Sequence, residues 1–459
     1  MLLTTGCANF DRDFGAIATL AETNISSAEQ LANVLQEIYR LVFDVDLAQY
    51  NIGELCDSGP EVLSQIYQLR ISLRDRIPEW NANGFMLAEV QGGLRDVFRA
   101  TRYVTDMLGE MLIAYDDISP GERNFKAFTG PHHNTLIHPA LAGTDKVAFQ
   151  SGDVLVFRGV INNSAAIARI GDVDSQFSHV AMVHIDERGH RRIVEALIAE
   201  GATISDFDYT LTHNLSRAIL FRHRDAELAA KAADRIYRRV RKSQKNWKDH
   251  IFYDFTMELD SYHKLFCAKL IRQAYDEASH SLLRLPTFAT TFDRASPDFL
   301  ARIGTTAKAT FAPGDMELEP EFYAIAEWRD YRKTSSVRLQ DMVMVKLFEW
   351  METRDFIFRE TALIGIVSAL SKSAGYLPNV VKNALSFVIP KIPSNIHRET
   401  IAVIAMLHKT AQPLLKELEA MEQRSIKETG RPLHPRDIYT HLDQVEANSG
   451  GRIGYLERS

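Results

Sequence analysis

The sequence predicts an α+β protein, with a small, mainly antiparallel sheet packed on one helix between helical N- and C-terminal regions. Three observations predict it. Apolar residues recur at spacings of three and four through residues 26–113. Short β-branched or apolar runs, separated by Gly, Asp and Asn, fill residues 154–221. Helical spacing returns after about residue 320. Strands in a row followed by helices indicate an α+β layer rather than parallel alternation.

Composition narrows the class. The 459 residues give a soft prior of about three domains. Hydrophobic residues make up 46% and charged residues 25%, which excludes disordered and collagen-like chains. Lys and Arg number 53 against 60 acidic residues, a net charge of −7, so nothing supports a nucleic-acid footprint over the whole molecule. The most apolar charge-free run, 362–370, falls well short of the roughly 20 residues of a membrane-spanning helix. Cys7, Cys56 and Cys267 are too few and too scattered for a disulfide framework, and no CxxC pair suggests zinc.

Taken in order, Thr4-Thr5-Gly6-Cys7 resembles the lipobox that ends a bacterial lipoprotein signal, where the cysteine receives the lipid. The preceding basic stretch and apolar core of ~7–15 residues are missing. Either the true start lies upstream and the chain is lipid-anchored in a bacterial envelope, or Cys7 is incidental and the chain is cytoplasmic. The N-terminal tail is read as 1–20 and a helical region as 21–117. Within it, 26–43 carries Leu31, Val34, Leu35, Ile38, Leu41 and Val42 at helical spacing, and Ser26 with Glu29 fits a capping box. Gly59-Pro60 opens a second helix, and 85–113 forms a third. No residue here suggests chemistry.

Residues 118–148 read as a linker. His132, His133 and His138 lie close together, but no carboxylate or cysteine sits at ligand spacing, so a solvated loop is expected and no metal. Strands are expected at 154–157, 180–185, 192–197 and 218–221, then helices at 225–247 and 265–278. In the C-terminal region, 319–459, helices are expected at 339–354, 356–373, 379–388 and 398–426. Pro378, Pro390, Pro393 and Pro432 mark the breaks.

Three central segments converge on chemistry. If the hairpin after His179 turns at Glu187 or Arg188, cross-strand partners sum to 374 or 376, and His179 lies opposite Glu195 or diagonal to it. Both sums are even, so both side chains share a face. Glu195 then accepts from one imidazole nitrogen and leaves the other to act as a base. Cys267 lies early in a helix, where the helix dipole and a nearby imidazolium would stabilise a thiolate. Other readings stand beside this one. Cys267, Leu270, Ile271 and Ala274 form an apolar helical stripe, and free cysteine is often buried. His179 alternates with apolar residues and fits a core histidine. His263, four residues before Cys267, is an alternative base.

GDVLVFRG, QFSHVAMV, IVEAL and YDF…LFCAKLI, in this order over residues 149–285, resemble the permuted papain-like hydrolases of the YiiX/YaeF type, relatives of the NlpC-type cell-wall peptidases. The resemblance implies a permuted papain-like domain at 149–318, with His179 as base, Glu195 as orienting residue and Cys267 as nucleophile. Tyr253 would line the site and help stabilise an oxyanion. Gly152-Asp153 matches the start of the first strand, in a structural or a catalytic role. Ala268 departs from the serine common after the cysteine, and the long helical flanks are absent from minimal members. The implied activity is thiol-dependent hydrolysis or transfer of an acyl group, without a cofactor. The substrate would be an amide or ester in cell-wall peptide or lipid. The alternative is a non-catalytic envelope scaffold. Arg235, Arg238, Arg239, Arg241, Lys242, Lys245 and Lys248 crowd one helix, either a solvated face or a peripheral contact with anionic lipid.

Overall fold

Apolar spacing in the first hundred residues translates into helices that share one core. The computed structural model describes residues 8–114, 135–144, 148–212, 215–372 and 395–459. The N-terminal helices are α1 (Ala8–Ala21), α2 (Ala28–Phe43), α3 (Ile52–Asp57), α4 (Gly59–Asp75), α5 (Ile77–Ala82) and α6 (Ala88–Ala114). α1 occupies what reads in sequence as a tail; Phe10, Phe14 and Ile17, a turn apart, are buried against the same core as Leu31 and Leu35. The cap of α2 is shifted by one residue from the expected box. Ser27 accepts from the Gln30 N–H, and Gln30 Oε1 accepts from the Ser26 N–H at 2.8 Å. Cys7, the lipobox-like segment, His132, His133 and the expected helix at 379–388 with its flanking prolines lie outside the described residues.

The main sheet is built from β1 (Thr135–Ile137), β2 (Val154–Gly159), β3 (His179–Ile185), β4 (Arg191–Leu197), β5 (Gly201–Asp206), β6 (Leu215–His223) and, after the two-residue ribbon β7 (Thr290–Thr291) and β8 (Ala309–Thr310), β9 (Phe322–Arg329). Its order is β1-β9-β6-β2-β3-β4-β5, with every neighbouring pair antiparallel. Helices α7 (Asn162–Ala168), α8 (Phe207–Thr212), α9 (Ala226–Lys245), α10 (Cys267–Ala278) and α11 (Pro297–Ile303) fill the connections. The C-terminal part holds α12 (Tyr331–Thr353), β10 (Phe356–Phe358), α13 (Glu360–Lys372), α14 (Arg398–Thr429), α15 (Pro435–Asn448), β11 (Arg452–Ile453) and β12 (Leu456–Arg458). The chain is therefore mixed α+β, with a small antiparallel sheet and flanking helices.

The sheet is wider than the sequence suggests. β1 lies in the expected linker and β9 in a stretch expected to be helical. β9 reads FYAIAEWR, and its two charges break the apolar run that marks a buried strand. Both are neutralised by ion pairs from neighbouring elements. β10 replaces the first residues of the helix expected at 356–373, where Phe-Ile-Phe favours a strand paired with β12. No helix among the described residues is long and apolar enough to cross a membrane.

α10 lies on the sheet. Leu270, Ile271 and Ala274 share a core with Val180 and Met182 of β3 and Val194 of β4. Each fully buried aliphatic side chain stabilises this packing by ~1.5–3 kcal/mol. Gly152, at φ +94°, lies against the Ala229 backbone where a Cβ would clash. Its carbonyl accepts from the Tyr275 hydroxyl at 3.0 Å, while Asp153 pairs with Arg222 at 2.7 Å. This turn holds β2 against α9 and α10, which is a structural task.

Candidate active site

The hairpin register pairs Met182 with Val194, a sum of 376, so His179 lies diagonal to Glu195 on a shared face. His179 Nε2 donates to Glu195 Oε2 at 2.7 Å. Glu195 is buried, whereas the His179 side chain keeps 21% of its surface exposed. With Nε2 engaged, Nδ1 is the nitrogen left to act. The ring also stacks on Phe157, its partner across β2 and β3, with centroids 5.9 Å apart.

Cys267 is the first residue of α10, following the extended Phe266. The cysteine thus sits in the first turn, where the first four N–H groups have no partner within the helix. Its thiol is unpaired, 5% exposed, and within hydrogen-bonding reach of His179. Burial disfavours charge on the imidazole, but contacts with Cys267 and Glu195 outweigh it, and the His179 pKa is pushed up to about 10. The three sequence-predicted residues therefore meet at one point. His263 does not join them: it is exposed and precedes the helix instead of sharing a turn with Cys267.

Tyr253 is brought to Cys267 by a short loop. Leu265 N–H donates to the Phe252 carbonyl at 3.0 Å, and Asp254 N–H donates to the Leu265 carbonyl at 3.3 Å. Burial raises the Tyr253 hydroxyl pKa well above its ordinary value, and the charge of Cys267 adds to this. Tyr253 and Cys267 line a cavity of about 1020 Å³, open mouth included. Its other walls come from α7, α11, α12 and α14. A second apolar cavity, about 990 Å³, lies among the N-terminal helices; none of the sequence-predicted site residues lines it.

Sequence reasoning missed the supports. Ser205 Oγ donates to Glu195 Oε1, fixing the carboxylate from β5. Lys269 Nζ, buried two residues after the cysteine, pairs with Asp254 at 2.7 Å. This ties the Tyr253 loop to α10. No signal for this pair is visible in sequence, because Lys269 falls on the side of the helix opposite the stripe of Cys267, Leu270, Ile271 and Ala274, where a solvated lysine is the ordinary reading. Ser205 gave none, because β5 alternates weakly and was not recognised.

His138 caps a short 3₁₀ turn and bonds Asp75 at 2.9 Å. No cluster of metal-ligating side chains is present among the described residues. On α9, Arg241, Lys242, Lys245 and, just beyond it, Lys248 are exposed, while Arg238 pairs with Asp234. No family model matches this chain, and neither a curated protein nor a solved structure matches it.

If Glu195 holds the imidazolium, Glu195→Gln should lower the rate of Cys267 acylation about 10- to 100-fold. It should also move the basic limb of the pH profile from about 10 towards the ordinary histidine value of ~6.5. The sign follows from the raised pKa. The folded state binds this proton more tightly than the unfolded chain, so its stabilising contribution is full below about pH 6.5 and disappears as pH rises through 10. A pH–rate profile with an unmoved basic limb removes Glu195 from this role.

Proposed function

We propose that this protein is a papain-like cysteine hydrolase with permuted order, His179 and Glu195 preceding Cys267, that cleaves an acyl amide or ester through an acyl-enzyme. One observation carries the reading: a histidine held by Glu195 at 2.7 Å lies within hydrogen-bonding reach of a free thiol at a helix start. The Cys267 thiolate attacks the acyl carbon and forms a C–S bond. His179 gives its proton to the departing nitrogen or oxygen as that bond breaks. The now neutral ring then takes a proton from water, whose oxygen attacks the thioester. The tetrahedral adduct collapses with rupture of the C–S bond to free the carboxylic acid, which gives its remaining proton to solvent, and the Cys267 thiolate beside protonated His179 is restored. The Cys267 N–H, and with it Tyr253, supplies donors for the oxyanion. An amine or alcohol in place of water gives a transferase by the same steps. The exposed cations of α9 supply a peripheral contact for anionic lipid.

A non-catalytic scaffold with the same core predicts no covalent capture. The test is a thiol-directed acylating probe, read by intact-protein mass. Labelling should occur once, survive Cys56→Ala, and vanish in Cys267→Ala and His179→Ala. Labelling that is absent from the wild type, or unaffected by His179→Ala, favours the scaffold. Competition of an added amine against water then separates transferase from hydrolase.

A further inference from the structure

We infer that the cavity beside Cys267 is an acyl-chain site, so that the acyl donor is an ester, thioester or amide of a long aliphatic acid rather than a cell-wall peptide. This rests on the acyl-enzyme reading and narrows its substrate. The nucleophile and Tyr253 line the cavity together with Ile167, Ile198 and Phe255 and with Met344, Ile404 and Leu407 of the C-terminal helices. Its threonine hydroxyls are already committed to backbone carbonyls. Thr305 donates to Phe255 at 3.4 Å, Thr310 to Met257 at 2.9 Å and Thr400 to Arg302 at 2.9 Å. Among the described residues, Tyr253 and His408 are the remaining polar side chains at the walls apart from the nucleophile.

Such walls discriminate by hydration. A peptide entering here would surrender the water bonded to each N–H and C=O and find few groups to replace it. A methylene gains from the same transfer. Two of the walls are α12 and α14, so the C-terminal helices close the site that the central sheet and α10 open. Met344, Ile404 and Leu407 then set how long a chain fits.

The binding arm uses full-length Cys267→Ala protein, which cannot turn over. Cis-parinaric acid should bind it with enhanced fluorescence, dodecanoate should displace the probe, and a cell-wall tetrapeptide should not. The kinetic arm uses 4-nitrophenyl esters from acetyl to dodecanoyl. For the wild type, kcat/KM should rise by up to roughly fourfold per added methylene until the cavity is full, the equivalent of ~0.8 kcal/mol for each buried CH2. Ile404→Trp, or Leu407→Phe should the first variant not fold, should lower the dodecanoyl-to-acetyl ratio at least about tenfold. Amide and thioester analogues of the best chain identify the bond cleaved. Failure of the fatty acid to bind folded Cys267→Ala protein overturns the chain site, as does a flat chain-length profile in an active wild type. Unchanged ratios in the filling variants overturn the assignment of the far wall. Chain binding by a wild type that turns over none of the esters overturns the hydrolase reading instead.

Discussion

Cys267→Ala is expected to abolish turnover of an activated acyl ester, and His179→Ala to lower kcat/KM by about 10³- to 10⁴-fold. The double variant should be no slower than Cys267→Ala alone, because nucleophile and base act as a unit and their losses do not add. The geometry gives the reason. On the proposed mechanism Cys267 would draw its reactivity from an imidazole that Glu195 holds at 2.7 Å, Ser205 braces through Glu195 and Phe157 stacks against. Removing the ring takes away both the counter-ion of the thiolate and the acid for the leaving group. Cys267→Ala should cost little stability, because it truncates a small side chain at a helix start, and a loss within about 2 kcal/mol is expected from urea unfolding. His179→Ala should cost more, because it leaves the buried Glu195 carboxylate without its partner. The decisive comparison is kinetic. Residual activity in Cys267→Ala equal to that of the wild type, or a His179→Ala variant that turns over normally, would place any chemistry elsewhere in the molecule.

The His179–Glu195 part of the site was legible because its spacing is local, whereas spacing alone left Cys267 and its base open and the resemblance supplied that pairing. The His179–Glu195 relation follows from one hairpin, where the period of two and a tight turn leave only two registers, and both put the side chains on one face. Cys267 was legible as an early helical residue, though its place in the first turn needed Phe266 to be seen in extended conformation. The supports were hidden because they depend on pairing that sequence does not display. Ser205 belongs to a strand of alternating but weakly apolar residues, and the Asp254–Lys269 pair joins a loop to a helix. The fold shows the same division. Central strands with unbroken apolar runs stood out, and so did helices with a wide apolar face. β9 fell within the expected C-terminal helical region with no element of its own, because Glu327 and Arg329 interrupt its pattern, and β1 was too short to register. Sequence left the role of the helical flanks open; α12 and α14 of the C-terminal flank wall the cavity at Cys267. Faces of helices can be predicted from periodicity, but which helix closes which opening is set by tertiary packing.

Asp106→Asn should destabilise the protein by ~3–5 kcal/mol, the loss expected when one member of a buried ion pair is removed. Asp106, on α6, has no exposed surface and accepts from Arg217 of β6 and, at 2.9 Å, from Arg329 of β9. Arg329 also pairs with Glu327, which Arg70 of α4 meets at 2.6 Å. Arg158 of β2 meets Asp341 of α12 at 2.6 Å. Further along α6, Glu110 meets Arg338 of α12 at 2.7 Å, and Arg338 reaches Glu422 of α14. This chain of charges joins the N-terminal helices, the sheet and the C-terminal helices across surfaces that sequence treats as ordinary apolar packing. The cations force Glu327 down to about 2 in spite of its burial. An asparagine keeps the shape but leaves Arg217 with only the more distant Asp341, at 3.9 Å, and takes from Arg329 one of its two countercharges, where neither arginine is exposed. The double variant Asp106→Leu with Arg217→Met removes charges of both signs together, and its loss should be smaller than the sum of the two single losses by at least ~1 kcal/mol. Urea unfolding of the four proteins measures the difference. Strictly additive losses, or an Asp106→Asn protein within ~1 kcal/mol of the wild type, would show that these arginines are solvated well enough without their partner. In that case apolar packing of α6 alone would have to hold the helical flank in place.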